Sequence, residues 1–167
     1  MLNMVAFPMQ MPFMSCWQQL RWQKLDLVVI DYIQLLRPDR RINKYEDISE
    51  VSMALKAMAK DNNVAIMGLA QLSRSVETRP DKTPQLSDLR DSGQIEQDAD
   101  AVMFLLRQEY YLRQAEPLQT DIKHSEWEAK LNEWSGIIEF IVAKRRNGTA
   151  GRTEGRFFGS FQAVRGQ

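Results

Sequence analysis

Two short apolar runs separated by a helical stripe constrain this chain more than any other feature. Val28, Val29 and Ile30 form the centre of the first run, at residues 26–31, and "VAIMGLAQ" at 64–71 makes the second. Between them Ile48, Val51, Leu55 and Met58 recur at helical spacing over 46–62, with Glu46 and Asp47 in the first turn, where the helix dipole favours them. A strand, a covering helix and a second strand read as a unit with parallel strands, whose crossover is right-handed in about 98% of cases. The carboxyl ends of both strands then lie on one edge of the sheet, the edge where open α/β sheets bind ligands. Asp31 and Gln71, which close the two runs, are therefore expected side by side on that rim.

Two further apolar runs, "AVMFLLR" at 101–107 and "GIIEFIVAK" at 136–144, read as strands. Between the second and third runs lies a long polar segment, of the kind that is usually functional in a compact domain. An irregular insert and the amphipathic "HSEWEAKLNEW" precede the fourth run. Asn147-Gly148 is a hairpin signal, and "RTEGRFFGSFQAV" supplies a β-ribbon. The expected class is α/β, with a mostly parallel sheet flanked by helices, incomplete on its N-terminal side and ending in that ribbon. No internal repeat is visible.

Composition narrows the function through its distribution. Formal net charge is zero, yet residues 144–167 hold six cations and one anion, whereas 109–133 hold six acids and three bases besides His124. A local basic patch of this kind suits a polyanion. The single Cys16 forms no internal disulfide, which fits a reducing, cytoplasmic setting. No apolar run approaches the roughly 20 residues of a membrane span. Residues 1–16 carry five methionines and no charge, so residues 1–23 are read as an irregular start, truncated or misstarted, and 24–167 as a partial domain.

Four groups could carry chemistry. Four apolar residues followed by Asp31 make a Walker B pattern, in which a carboxylate at the end of a buried strand, otherwise costly, meets Mg²⁺ and its waters beside a phosphate. The Gln71 amide could sense a γ-phosphate or order a water. Lys144 and Arg146 alternate about Arg145, so on an extended strand they share one face, a pairing suited to a triphosphate. In "SDLRDSGQIEQDAD", Arg90, Asp91 and Gly93 could hold a phosphate of a nucleic-acid strand. Set against these, Asp31 could simply cap a turn, Gln71 could form a loop, and the basic hairpin, Arg145 included, could merely be solvated. The acids of the long segment show no metal-site spacing, and His124 has neither a second His nor a thiol nearby.

Together, "VVIDYIQLL", "GLAQLSRSVETR", "LSDLRDSGQIEQDADAVMFLLR" and "VAKRRNGTAGRT", in this order, closely resemble the C-terminal motor domain of DnaB-type bacterial replicative helicases, over about residues 24–162. "YYLRQAEP" resembles an insert of some members. The resemblance implies a RecA-like fold, a hexameric ring, and ATP hydrolysis with Mg²⁺ that drives 5′ to 3′ movement on single-stranded DNA. By that likeness Asp31 helps hold Mg²⁺ through water, and Gln71 couples the γ-phosphate to the DNA loops. Lys144 and Arg146 reach the ATP of the neighbouring subunit, Arg146 as the arginine finger. Arg90, Asp91 and Gly93 line the channel and grip DNA. Primase and a helicase loader are the further partners implied.

The departures from the family pattern matter equally. A P-loop needs G-x-x-x-x-G-K-[ST], and the chain contains no Gly-Lys pair. The family's catalytic glutamate lies upstream of the Walker B strand, whereas the first glutamate here, Glu46, lies downstream. The chain alone is therefore expected to be inactive. Two other readings compete: a non-catalytic ring subunit or single-stranded DNA-binding module, and another RecA-like ATPase.

Overall fold

A computed structural model describes residues 4–7, 25–36, 44–89 and 93–166, with no side chains described at 4–7 and 44–47. The sequence also suggests a short helix through "CWQQLRWQKL" at 16–25 and a basic loop, "RPDRRINKY", at 37–45; the first lies outside the described residues except for Leu25, and so does most of the second. In chain order the elements are β1 (Met4–Phe7), β2 (Leu27–Ile30), α1 (Lys44–Asp61), β3 (Ala65–Gly68), α2 (Ser75–Thr78) and α3 (Gly93–Asp98). There follow β4 (Ala101–Leu106), α4 (Gln108–Gln114), α5 (His124–Trp134), β5 (Ile137–Arg145), β6 (Gly151–Phe158) and β7 (Ala163–Gly166). The chain divides into two compact units, Met1–Ser73 with Leu86–Ala99, and Arg74–Gln85 with Asp100–Gln167. No helix among the described residues is long and apolar enough to cross a membrane.

The first unit is built on a parallel sheet in the order β1-β2-β3. Val28 and Ile30 point from the central strand into a core completed by Ile48, Val51, Leu55 and Met58 of α1, Val64, Ile33 and Ile95. All four residues of the expected helical stripe are buried there. The expected strand–helix–strand unit is present and its strands are parallel, with Ile30 opposite Gly68. β1 pairs with β2 in parallel and lies within the Met-rich stretch read as an irregular start. β3, at one edge of the described sheet, leaves Met67 exposed, and Leu69 just beyond it is exposed too.

The second unit carries an antiparallel sheet in the order β4-β5-β6-β7, so among the described residues the parallel portion is three strands and the sheet expected to be mostly parallel is not, and the ribbon is β6 with β7. Along β4, Val102, Phe104 and Leu106 are buried while Met103 and Leu105 are about half exposed, at 52% and 56%. Strict alternation of this kind marks one-sided burial, which antiparallel sheets permit. Because both faces of the strand are apolar, the sequence pattern could not show it. The insert leaves and re-enters the sheet at one end, since Leu106 lies opposite Glu139. It folds as two helices, α4 and α5, tied by the Trp127 indole N–H donating to the Leu112 carbonyl at 2.8 Å. Buried Glu109 fastens its root, accepting from the Gly136 backbone N–H at 2.9 Å and from Arg113 Nε at 2.9 Å. The Gly136 bond, followed by the Arg113 guanidinium, holds the Glu109 carboxyl below its ordinary range despite burial, which acts the other way.

The β5–β6 hairpin forms where Asn147-Gly148 predicts one, but its connection is wider than a two-residue turn. The last paired residues are Val142 and Gly151, and neither Asn147 nor Gly148 has positive φ. Arg145 lies over Gly148, where a Cβ would stand 2.8 Å from its Cδ.

Candidate functional site

The rim of the first unit follows from the parallel register. Past the strand ends, Leu69 donates its N–H to the Ile30 carbonyl and Ile33 donates to the Leu69 carbonyl, both at 2.8 Å. Asp31, one residue beyond β2, and Gln71, three residues beyond β3, therefore leave the sheet at the same edge. Two expectations change. Gln71 does not close a strand, because the 3-10 turn Ile33–Leu35 folds over the end of β3 and takes the next backbone acceptor. Asp31 is exposed, so burial does not force a cation upon it.

Gly68 permits this closure. A Cβ there would meet Ile33 Cδ1 at 2.5 Å and Cγ1 at 2.8 Å, and Ile33 is buried. Gln34, on the same turn, then holds the backbone of Gln71 with its side-chain amide. Its Nε2 donates to the Gln71 carbonyl at 3.2 Å, and its Oε1 accepts from the Gln71 N–H at 3.3 Å. Gln34 was missed in the sequence, although a polar residue inside "YIQLL" was a visible signal. Two residues further on, Ser73 donates its N–H to the Asp88 carbonyl at 2.8 Å.

Of the expected DNA-binding group, Arg90 and Asp91 lie outside the described residues. Gly93 opens α3, is exposed, and has open space where a Cβ would stand. The helix it opens is anchored. Ile95 enters the core, the Ser52 hydroxyl donates to Asp98 Oδ2 at 2.8 Å, and Gln94 Nε2 donates to Asp98 Oδ1 at 3.0 Å. Asp98 thus positions a helix, and no group of three or more His, Cys, Asp or Glu residues among those described could hold a metal. A single exposed carboxylate such as Asp31 still fits Mg²⁺, which retains several waters and takes one or two carboxylates beside a substrate phosphate.

Lys144 and Arg146 belong to the second unit. The register of β4 against β5 shifts between Val102 and Met103: Met103 lies opposite Val142, whereas Val102 lies opposite Lys144. The extra residue, Ala143, forms a bulge, and such bulges re-aim the side chains that follow. Lys144 thereby shares a face with Val102, and the next same-face residue, Arg146, falls opposite Asp100. There the Arg146 N–H donates to the Asp100 carbonyl at 2.7 Å, and its guanidinium meets the Asp100 carboxylate at 2.9 Å. The two basic residues alternate as expected, but the bulge decides which face they occupy. Part of the basic tail is also engaged inside the unit, Arg152 pairing at 3.0 Å with Glu139, which is 1% exposed.

A parallel and an antiparallel sheet with helices, and an exposed carboxylate and amide on one rim of the former, define the class as α/β. Comparison makes the class specific: the DnaB-like helicase C-terminal domain family matches residues 8–165, and the chain belongs to it. The match begins upstream of residue 24, where the resemblance read from the sequence starts. The replicative DNA helicase DnaB of Rickettsia prowazekii (strain Madrid E) is 52% identical over 132 residues, covering 78% of this chain and 27% of that protein. A solved DnaB-like replicative helicase, described with its interactions with primase, superposes with a TM-score of 0.77 at 34% identity, covering 93% of this chain and 35% of its own. A second solved chain, described as an ATPase domain, gives 0.76 at 34% identity, covering 93% of this chain and 51% of its own. The chain spans about a quarter of the length of the curated relatives it matches.

Proposed function

We propose that this chain is a part of a replicative DNA helicase motor that works with nucleotide held largely by another protomer. The shared rim of Asp31 and Gln71 carries the reading, since parallel register brings to one edge the two groups such a motor needs there. Bound Mg·ATP supplies the γ-phosphoryl group and the charge that develops on its transfer. Asp31 would hold the Mg²⁺ through water. The Gln71 amide would sense the γ-phosphate, its backbone held by Gln34. The Ser73–Asp88 bond supports a link from this rim toward Arg90, Asp91 and Gly93, which would grip the single-strand backbone in the channel without reading bases.

Lys144 and Arg146 would act in trans, neutralising charge on the neighbour's triphosphate within a hexameric ring. With no Gly-Lys pair in the chain, the backbone cradle and lysine of a P-loop are lacking, so the chain alone does not turn over ATP. A cytoplasmic setting, with primase and a loader as partners, follows from the same family reading. The solved relative described with primase supports the first of these partners. Adding the chain to a full-length DnaB-type helicase should raise ATP turnover per P-loop-bearing protomer. Poisoning or indifference would instead favour a passive ring subunit.

A further inference from the structure

We infer that Asp100 is a positioning residue for Arg146, an inference that rests on the proposed role of Arg146 in trans. The β4–β5 register makes these residues cross-strand neighbours just outside the last paired positions, Ala101 and Arg145. Asp100 engages Arg146 at two points. Its carbonyl accepts the Arg146 backbone N–H at 2.7 Å, and its carboxylate receives the guanidinium at 2.9 Å. The first contact fixes where the chain leaves β5. The second selects among the many rotamers of a long side chain.

Two physical facts decide what such a pair does. Arg146 follows Lys144 and Arg145, so without an acid opposite it the guanidinium would be repelled from its neighbours and sample open solvent. Asp100 supplies that acid, and it also keeps the fork-shaped donor set ordered before a phosphate arrives, which reduces the ordering left for the moment of binding. The pair is also weak enough to exchange. Side-chain exposure is 52% for Arg146 and 64% for Asp100, and water screens ion pairs at such sites. A neighbour's triphosphate, with greater charge, can therefore take over the guanidinium from a prearranged starting point.

The bulge at Ala143 belongs to the same device. In an unbroken ladder Ala143 would lie opposite Val102, and Lys144 would fall on the other face. The additional residue puts Arg146 in register with Asp100.

The test uses the whole chain mixed with a full-length DnaB-type helicase, with ATP turnover measured as kcat and KM. Asp100→Asn keeps the backbone contact and removes the charge, and it should lower the stimulated kcat about three- to tenfold with KM within about twofold. Asp100→Glu should recover part of that loss. In the Arg146→Ala background, Asp100→Asn should change nothing further, as expected of a residue that acts through another. Unchanged or raised stimulation in Asp100→Asn, alongside loss in Arg146→Ala, would overturn the positioning role and leave the trans reading standing. Stimulation that survives Arg146→Ala would overturn both.

Discussion

Ser73 donates its backbone N–H to the Asp88 carbonyl at 2.8 Å, joining the residue two past Gln71 to the residue two before Arg90. The amide proposed to sense nucleotide and the loop proposed to grip DNA are thereby tied through one backbone hydrogen bond between their flanking residues. Ser73→Pro removes that donor. A backbone hydrogen bond contributes about 1 kcal/mol, so single-strand affinity measured by fluorescence anisotropy should fall about three- to tenfold. Unchanged affinity in a folded variant would mean that the bond does not position the loop.

Gly68→Ala should destabilise the chain. The new methyl would approach buried Ile33 to 2.5 Å, and overpacking of this kind costs about 1–3 kcal/mol. The urea midpoint should drop with an unchanged denaturant slope. Because Ile33 follows Asp31 by two residues, the amides of the 3-10 turn should also exchange faster with solvent.

Glu109 makes the root of the insert pH-sensitive. Its folded-state carboxyl titrates below the ordinary value, chiefly because the Gly136 N–H bonds the charged form. The stabilisation is thus fully present above the unfolded carboxyl value, about 4.3, and is lost as pH falls through the lower folded value. Glu109→Gln should cost about 2 kcal/mol at pH 7. Melting temperatures of variant and parent should converge as the solution is acidified below pH of about 4. A gap that stays constant down to that acidity would contradict the assignment.

Arg90→Ala should weaken single-stranded DNA binding to a similar extent on unrelated sequences and reduce the salt slope by up to about one phosphate contact. Loss confined to particular sequences would point to base reading and away from a motor channel.

The strand–helix–strand unit was legible because both of its periodicities were clean. Val28 and Ile30 face inward, and Ile48, Val51, Leu55 and Met58 form a helical stripe, leaving little choice of topology. The rim followed from that topology, because parallel strands end at the same edge. Of the antiparallel sheet, the β5–β6 hairpin and the ribbon were legible, but the place of β4 was not, because "AVMFLL" is apolar at its exposed positions too and so hides its alternation. β1 escaped notice since its residues sit in a run biased toward methionine. The Asp100–Arg146 pair was out of reach for a different reason: it depends on a register shift of one residue, and a bulge leaves no mark in the hydrophobic pattern. Gln71 was placed on the correct edge but in the wrong local structure, since the end of β3 is set by a turn that precedes it by more than thirty residues. For Asp31, strand burial proved a poor guide to burial one residue later.

The most direct measurement starts from a full-length DnaB-type helicase whose own arginine finger has been replaced by alanine, leaving its P-loop intact. Its ATP turnover is followed as this chain is titrated in. Turnover should rise with the parent chain and not with Arg146→Ala, since only the former brings a guanidinium to a nucleotide held elsewhere. Equal turnover with both chains, or none with either, would contradict the role of Arg146 in trans.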